Sequence, residues 1–478
     1  MGKANSKKPL LEALINHNKQ RQQPWHIPAH KGLGKNWLNP IEGKTLALDK
    51  TELLGLDDLH DPHGVIAAAQ REMAGLCGCQ QAYFLVNGAS VGLQAAILAS
   101  TKPGDKVLVP RNAHKSIWAG LALAQAEPVW LPVTYDPVWQ IPLGITEESL
   151  AQAIAANPTA KTAIFVHPTY HGLAGQINNL VNMAKKANIT TIVDESHGAH
   201  FAFMGDPPPA AFSQPSIIVQ GWHKTMGSLT QSAVLLQNDQ TLPIQAALNM
   251  LQSSSPSYLL MASLDATRAY WQDEGKELGQ KLLVLSQFAE AKLSQIDGLI
   301  CLTKKDFPPP VVAKDQTRLL LASQTGTKGW VLAEALAKEG VIAEMADNYI
   351  VTMVLSLADS QKSIEALAKS CQRVVKKLPA GSPIAKQQLQ SLPWSLPVVK
   401  ILPAQTRAYE LAAIPINEAA GKIAGGIIAP YPPGIPLLAP GELITPYILE
   451  ILKNIIKGGG KVQGLVGPKR DFLPTLKI

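Results

Sequence analysis

One lysine stands between two apolar runs in SIIVQGWHKTMGSLTQSAVLLQ, residues 216–237, directly after a histidine (His223-Lys224). A lysine held away from water loses affinity for its proton, and the neutral amine is a good nucleophile. Earlier, TTIVDES (190–196) carries a hydrophobic run into Asp194, where a carboxylate is costly unless it meets a cation or a ring N–H. Gly88-Ala89-Ser90 follows a strand-like run and opens a helix-like one, so its backbone N–H groups and the Ser90 hydroxyl can hold a phosphate. An amine, a buried carboxylate and a phosphate seat together suit pyridoxal phosphate. The amine forms a Schiff base, and the carboxylate keeps the pyridine nitrogen protonated so that the ring accepts electrons. Taken singly, these features read as a turn lysine, a helix cap and an ordinary turn, and His114 reads as a surface or hydrogen-bonded core histidine. Their joint occurrence points to chemistry.

The elements that must position these groups alternate in type. Strand-like runs are AYFLV (82–86), KVLVP (106–110), TAIFVH (162–167), TTIVDES (190–196), SIIVQGW (216–222) and SAVLLQ (232–237). Helix-like stretches such as VIAAAQREMAGL, VGLQAAILAS and INNLVNMAKKAN lie among them. This alternation predicts a mostly parallel sheet covered on both faces, and such sheets gather ligands at the C-terminal ends of their strands. The unusual residues fall there: Asn87 to Ser90, Arg111 to His114, His167 to His171, Asp194 to His200 and His223-Lys224. The expected organisation is an N-terminal arm (1–64, with helical spacing over 8–20), a large cofactor-binding domain (65–290), a small α/β domain (291–378) and a Pro/Gly-rich C-terminal module (379–478).

Composition excludes several classes. At 478 residues, with 46% hydrophobic and 17% charged residues, the chain reads as a well-packed protein of two or three domains. Four scattered cysteines give no disulfide framework, and Cys77-Gly78-Cys79 lacks the second cluster a zinc site needs, so no metal is expected. A reducing cytoplasm fits. The net charge of +7 is spread in short pairs without a basic stripe, which argues against nucleic acid. No window of about 20 residues is apolar and free of charge and proline, so a membrane span is not expected.

LVNGAS, PRNAHKS, HPTYHG, VDESHGAHF, HKTMGSLTQSA and SSSPSYLLMASLDATR together resemble the ornithine/lysine/arginine decarboxylase family. HIPAHKG (26–32), LDDLHDPHGVI (56–66), AEMAD (343–347) and YPPGIPLLAPGE (431–442) extend the resemblance over nearly the whole chain. It implies an α/β aspartate-aminotransferase-like fold with a C-terminal α+β decarboxylase module, in a short form without an N-terminal wing. It also implies pyridoxal 5'-phosphate as cofactor and decarboxylation of a basic amino acid, feeding polyamine metabolism. Lys224 would be the Schiff-base lysine, Asp194 the partner of the ring nitrogen and His114 the residue stacked on the ring. Gly88, Ala89, Ser90 and Thr225 would serve the phosphate, His223 the proton transfer. Ser196, where the family commonly has alanine, would lie under the ring, and His197 would reach the phenolic oxygen. SSSPSY (253–258) resembles a segment that enters a neighbouring subunit's site, implying a homodimer or a dimer of dimers.

Gly221 and Trp222 stand where the family commonly has Ser-Thr, which predicts weaker phosphate binding and a tryptophan beside the cofactor; Ala89 also replaces a frequent hydroxyl residue. The substrate's distal cation needs a carboxylate, for which Glu442, Glu344 and the loop Asp57-Asp58-Asp61 are candidates. Arginine is favoured over lysine or ornithine. The rival readings are an aminotransferase, for which Arg407 is a poor carboxylate-binding candidate, and a cofactor-binding paralogue without turnover.

Overall fold

The structure, a computed structural model, describes residues 23–25, 56–204, 214–378, 396–431 and 434–478. The expected helix over 8–20 and the HIPAHKG motif lie outside the described residues. The β-branched apolar runs form one seven-stranded sheet of β1 (Gln81–Leu85), β2 (Lys106–Pro110), β3 (Glu127–Leu131), β4 (Thr162–Val166), β5 (Thr190–Asp194), β6 (Ile217–Gln220) and β7 (Ala233–Gln237). Their spatial order is β1-β7-β6-β5-β4-β2-β3. Strand β7 runs antiparallel to both neighbours, and the other neighbouring pairs are parallel.

Alternation along each strand separates two cores. Phe84, Leu108, Phe165, Val193 and Ile218 enter one, while Leu85, Val107, Ile164, Ile192 and Ile217 enter the other. Each such side chain contributes about 1.5–3 kcal/mol on full burial, so the central strands are firmly held on both faces. Helices α1 (Gly88–Ser100) and α2 (Lys115–Ala124) cover the second face. After β6, Gly221 turns the chain into a single helical turn, α3 (Trp222–Thr225).

The 37-residue helix α4 (Tyr258–Ser294) runs through the expected boundary at residue 290. It leads to an antiparallel sheet of β8 (Leu299–Leu302), β9 (Arg318–Ser323), β10 (Met345–Ala346) and β11 (Val351–Val354), in the order β8-β9-β11-β10. The C-terminal module has its own core around Leu438, Ile444, Leu452 and Leu473. It docks on the large domain through Arg111, whose guanidinium donates to both oxygens of Glu442 at 3.0 Å and to the Leu437 carbonyl at 3.1 Å. Among the described residues no helix is long and apolar enough to cross a membrane.

Candidate active site

Strands β5 and β6 lie side by side in parallel, with Asp194 opposite Val219. Asp194 closes β5, and Lys224 follows β6 on α3. The Asp194 carboxylate accepts hydrogen bonds from the Ser196 hydroxyl and, at 3.2 Å, from the Ser196 backbone N–H. Burial raises the Asp194 carboxyl above its ordinary value, and these bonds and the Lys224 cation offset only part of that rise. Burial lowers the Lys224 amine to about 8, opposed by the charges of Asp194 and Glu344 and helped by Arg318. Lys224 therefore feels one carboxylate at the end of a strand of the seven-stranded sheet and one directly before β10 of the four-stranded sheet. Ser196 sits on Asp194 and supports its ionised form.

Three histidines surround the amine. His197 lies with Nε2 3.0 Å from Lys224 Nζ and its ring 4.5 Å from that of Tyr170. His223 uses Nδ1–H to donate to the Ser232 carbonyl at 2.8 Å, so its neutral ring carries its proton on Nδ1. His114 accepts the Ser116 backbone N–H at Nδ1, 3.2 Å away. Burial, then the Lys224 and Lys115 cations, lower His114 to about 3, so its ring is neutral at physiological pH. The C-terminal module closes over this ring: the Gly434 backbone lies so near that a side-chain carbon there would come 3.3 Å from His114 Nε2.

The expected phosphate seat lies at the start of α1. Gly88 takes a positive φ of 72° and gives its N–H to the Gln231 carbonyl at 2.8 Å. Ala89 and Ser90 supply the next N–H groups of α1, a helix that starts without a side-chain cap. Thr225 Oγ1 is buried and has no hydrogen-bond partner among the described residues.

The two departures at 221 and 222 have a packing reason. A side-chain carbon at Gly221 would stand 2.8 Å from the Ser196 carbonyl and 3.1 Å from Lys224 Cδ, so a serine does not fit this backbone unchanged. Trp222 packs inward. It is fully buried in the core beneath the sheet, and its indole N–H donates to Gln220 Oε1 at 3.0 Å.

The carboxylate candidates separate clearly. Glu442 is fully buried and already paired at both oxygens with Arg111, so it is not open to a substrate cation. Asp57 caps the helix Val65–Cys77, accepting the N–H groups of His63, Gly64, Ile66 and Ala67. Those backbone bonds outweigh desolvation and lower Asp57 to about 2. Asp58 accepts the His60 N–H, and Asp61 pairs with His63 at the exposed surface. Glu344 remains, in the AEMAD segment of the small domain, hydrogen-bonded by the Tyr170 hydroxyl. Arg407 is exposed in a short helical turn.

Three residues have roles here that the sequence reading did not assign. Arg111 anchors the C-terminal module, Tyr170 joins His197 to Glu344, and Arg318 contacts His197 Nδ1 at 3.0 Å. Arg318 had a visible signal: it is a charge opening an otherwise apolar strand, TRLLLAS.

These groups fit pyridoxal phosphate. An unpartnered buried hydroxyl (Thr225) and an uncapped helix start suit a phosphate, a buried carboxylate suits a protonated ring nitrogen, and a desolvated amine suits an aldehyde. Comparisons agree. The model of the Orn/Lys/Arg decarboxylase major domain matches residues 8–317, and that of the C-terminal domain of the same family matches 390–465. The uncharacterized protein YaaO of Bacillus subtilis is 34% identical over 95% of this chain and 96% of its own. An arginine decarboxylase of the same organism is 31% identical over 98% and 97%. The constitutive lysine decarboxylase of Escherichia coli has the same fold, with a TM-score of 0.74 at 20% identity over 98% of this chain and 82% of that one. With its major-domain match spanning most of the sequence, the chain belongs to the Orn/Lys/Arg decarboxylase family and is a pyridoxal-phosphate-dependent decarboxylase of the aspartate-aminotransferase-like fold.

Proposed function

We propose that this enzyme converts L-arginine to its amine and CO2, with Lys224 as the cofactor-bearing lysine. Bound pyridoxal phosphate supplies an aldehyde for amines and a protonated ring that accepts the electron pair left by departing CO2. Asp194 would face the ring N–H, with the Ser196 hydroxyl and the Lys224 cation favouring its ionised form against burial. Ala89, Ser90 and Thr225 hold the phosphate. His114 would offer an uncharged ring for the cofactor to lie against, and His223 Nε2 would be the atom that returns a proton to the α-carbon. Lys224 must be unprotonated to react. Uptake of pyridoxal phosphate by cofactor-free protein is therefore expected to quicken with pH and level off above about 8, not near the 10.5 of a free lysine. Stopped-flow absorbance checks this.

The observation that carries the substrate reading is Glu344, a carboxylate brought to the site by the hydroxyl of Tyr170, whose ring lies against His197. A guanidinium presents paired N–H groups that match a carboxylate, and relatives named arginine decarboxylase favour arginine over lysine or ornithine. Glu344→Gln is expected to raise KM for arginine about tenfold or more, the worth of a charge-assisted hydrogen bond, with a smaller change in kcat. Separate incubation with arginine, lysine and ornithine, scoring each amine product, tests the assignment; a faster turnover of lysine or ornithine contradicts it. The reading also includes a cytoplasmic role in polyamine supply and a homodimer with sites at the subunit interface. For the dimer, the support is that Ser253 to Ser255 of SSSPSY stand exposed on the single chain.

A further inference from the structure

The geometry points to Arg318 as a positioning residue that fixes His197 as an Nε2–H donor aimed at the reacting end of Lys224. An arginine side chain has five N–H donors and no acceptor. Its contact of 3.0 Å with His197 Nδ1 therefore makes that nitrogen the acceptor. The imidazole proton then sits on Nε2, which lies 3.0 Å from Lys224 Nζ. With Nε2 donating, Nζ must accept, and only the unprotonated amine has the lone pair to do so. The chain Arg318→His197→Lys224 thus runs in one direction and favours the reactive form of the lysine. A carboxylate at Nδ1 would do the reverse, holding a proton there and turning Nε2 into an acceptor.

The placement is built, not incidental. Arg318 opens β9 in the small domain, is 1% exposed, and forms no ion pair with a carboxylate among the described residues. Its Nη1 is buried without a partner there. Gly172 lets the loop after β4 close on the arginine stem, since a side-chain carbon at that position would come 2.6 Å from Arg318 Cγ. Around His197 stand Lys224, Arg318, His223 and His114, and Tyr170 packs on its ring. The charged and titratable neighbours all oppose an imidazolium, after burial itself. With the cofactor joined to Lys224, the same Nε2–H would be the donor available to its phenolic oxygen. A donor and a cation beside that oxygen favour the state of the Lys224-linked chromophore that has lost its proton.

The test is the pH titration of the visible absorbance of cofactor-loaded protein. Arg318→Met is expected to raise the apparent pKa of that chromophore by about one to two pH units. Arg318→Lys, which keeps a cation and a donor, is expected to move it by less than half as much. In a His197→Phe background Arg318→Met is expected to add less than half of that shift, the part its own charge exerts on Lys224 directly. An unshifted titration in Arg318→Met, or a shift undiminished in that background, overturns the proposal. If Arg318→Met does not fold, His197→Phe carries the test, with a shift of the same sign and an unshifted curve overturning it. The inference rests on Lys224 bearing the cofactor and is independent of which basic amino acid is the substrate. A band that forms but does not respond sinks the Arg318 role alone, whereas absence of the band sinks the Lys224 assignment.

Discussion

Lys224→Ala is expected to lower kcat by at least about a thousandfold, through loss of the covalent amine. The visible absorption of the loaded enzyme should vanish with it. Fold should be retained, because Lys224 sits on one turn of helix whose anchor is Trp222, buried in the core and hydrogen-bonded to Gln220. The aliphatic stem lies along Gly221 and leaves room for a shorter side chain. Unchanged circular dichroism with lost absorbance is the expected pair of results. Exogenous small amines should restore part of the rate, since they replace the missing nucleophile without its tether.

Asp194→Ala is expected to cost roughly 10²–10³ in kcat, the magnitude seen when a preorganised electrostatic partner is removed. The defect should differ in kind from that of Lys224→Ala: absorbance persists, while affinity for the cofactor falls. The physical reason lies in what surrounds the carboxylate. Asp194 is one of two carboxylates, with Glu344, whose charge raises the Lys224 amine, while Arg318 lowers it. Removing Asp194 leaves a buried site biased toward positive charge, in which a protonated ring nitrogen is disfavoured. Equilibrium titration of cofactor-free protein with pyridoxal phosphate separates the binding loss from the rate loss.

Much of this framework is legible in the sequence because both sheet faces are buried. Strands covered on both sides read as near-continuous apolar runs, and six of the seven strands stand out that way. The seventh, Glu127–Leu131, does not, because Pro128 argues against an interior strand. It forms the edge of the sheet, where a proline is tolerated. The reversed direction of β7 is also invisible, since an apolar run carries no sign of its polarity. Lys224 and Asp194 are readable because a charge at the end of an apolar strand needs an explanation. Glu442 looks the same in sequence, yet its partner Arg111 is 331 residues away along the chain, and only folding shows that the pair satisfies itself. Arg318 escaped for the complementary reason: its partner is a neutral histidine, and no opposite charge in the sequence marks the pairing.

The most direct measurement is borohydride reduction of the cofactor-loaded protein followed by peptide mass mapping. The adduct is expected on the peptide containing His223-Lys224, at Lys224 alone, and absent from Lys224→Ala. A stable adduct on any other lysine, or none on a protein that still releases CO2 from arginine, would contradict the account.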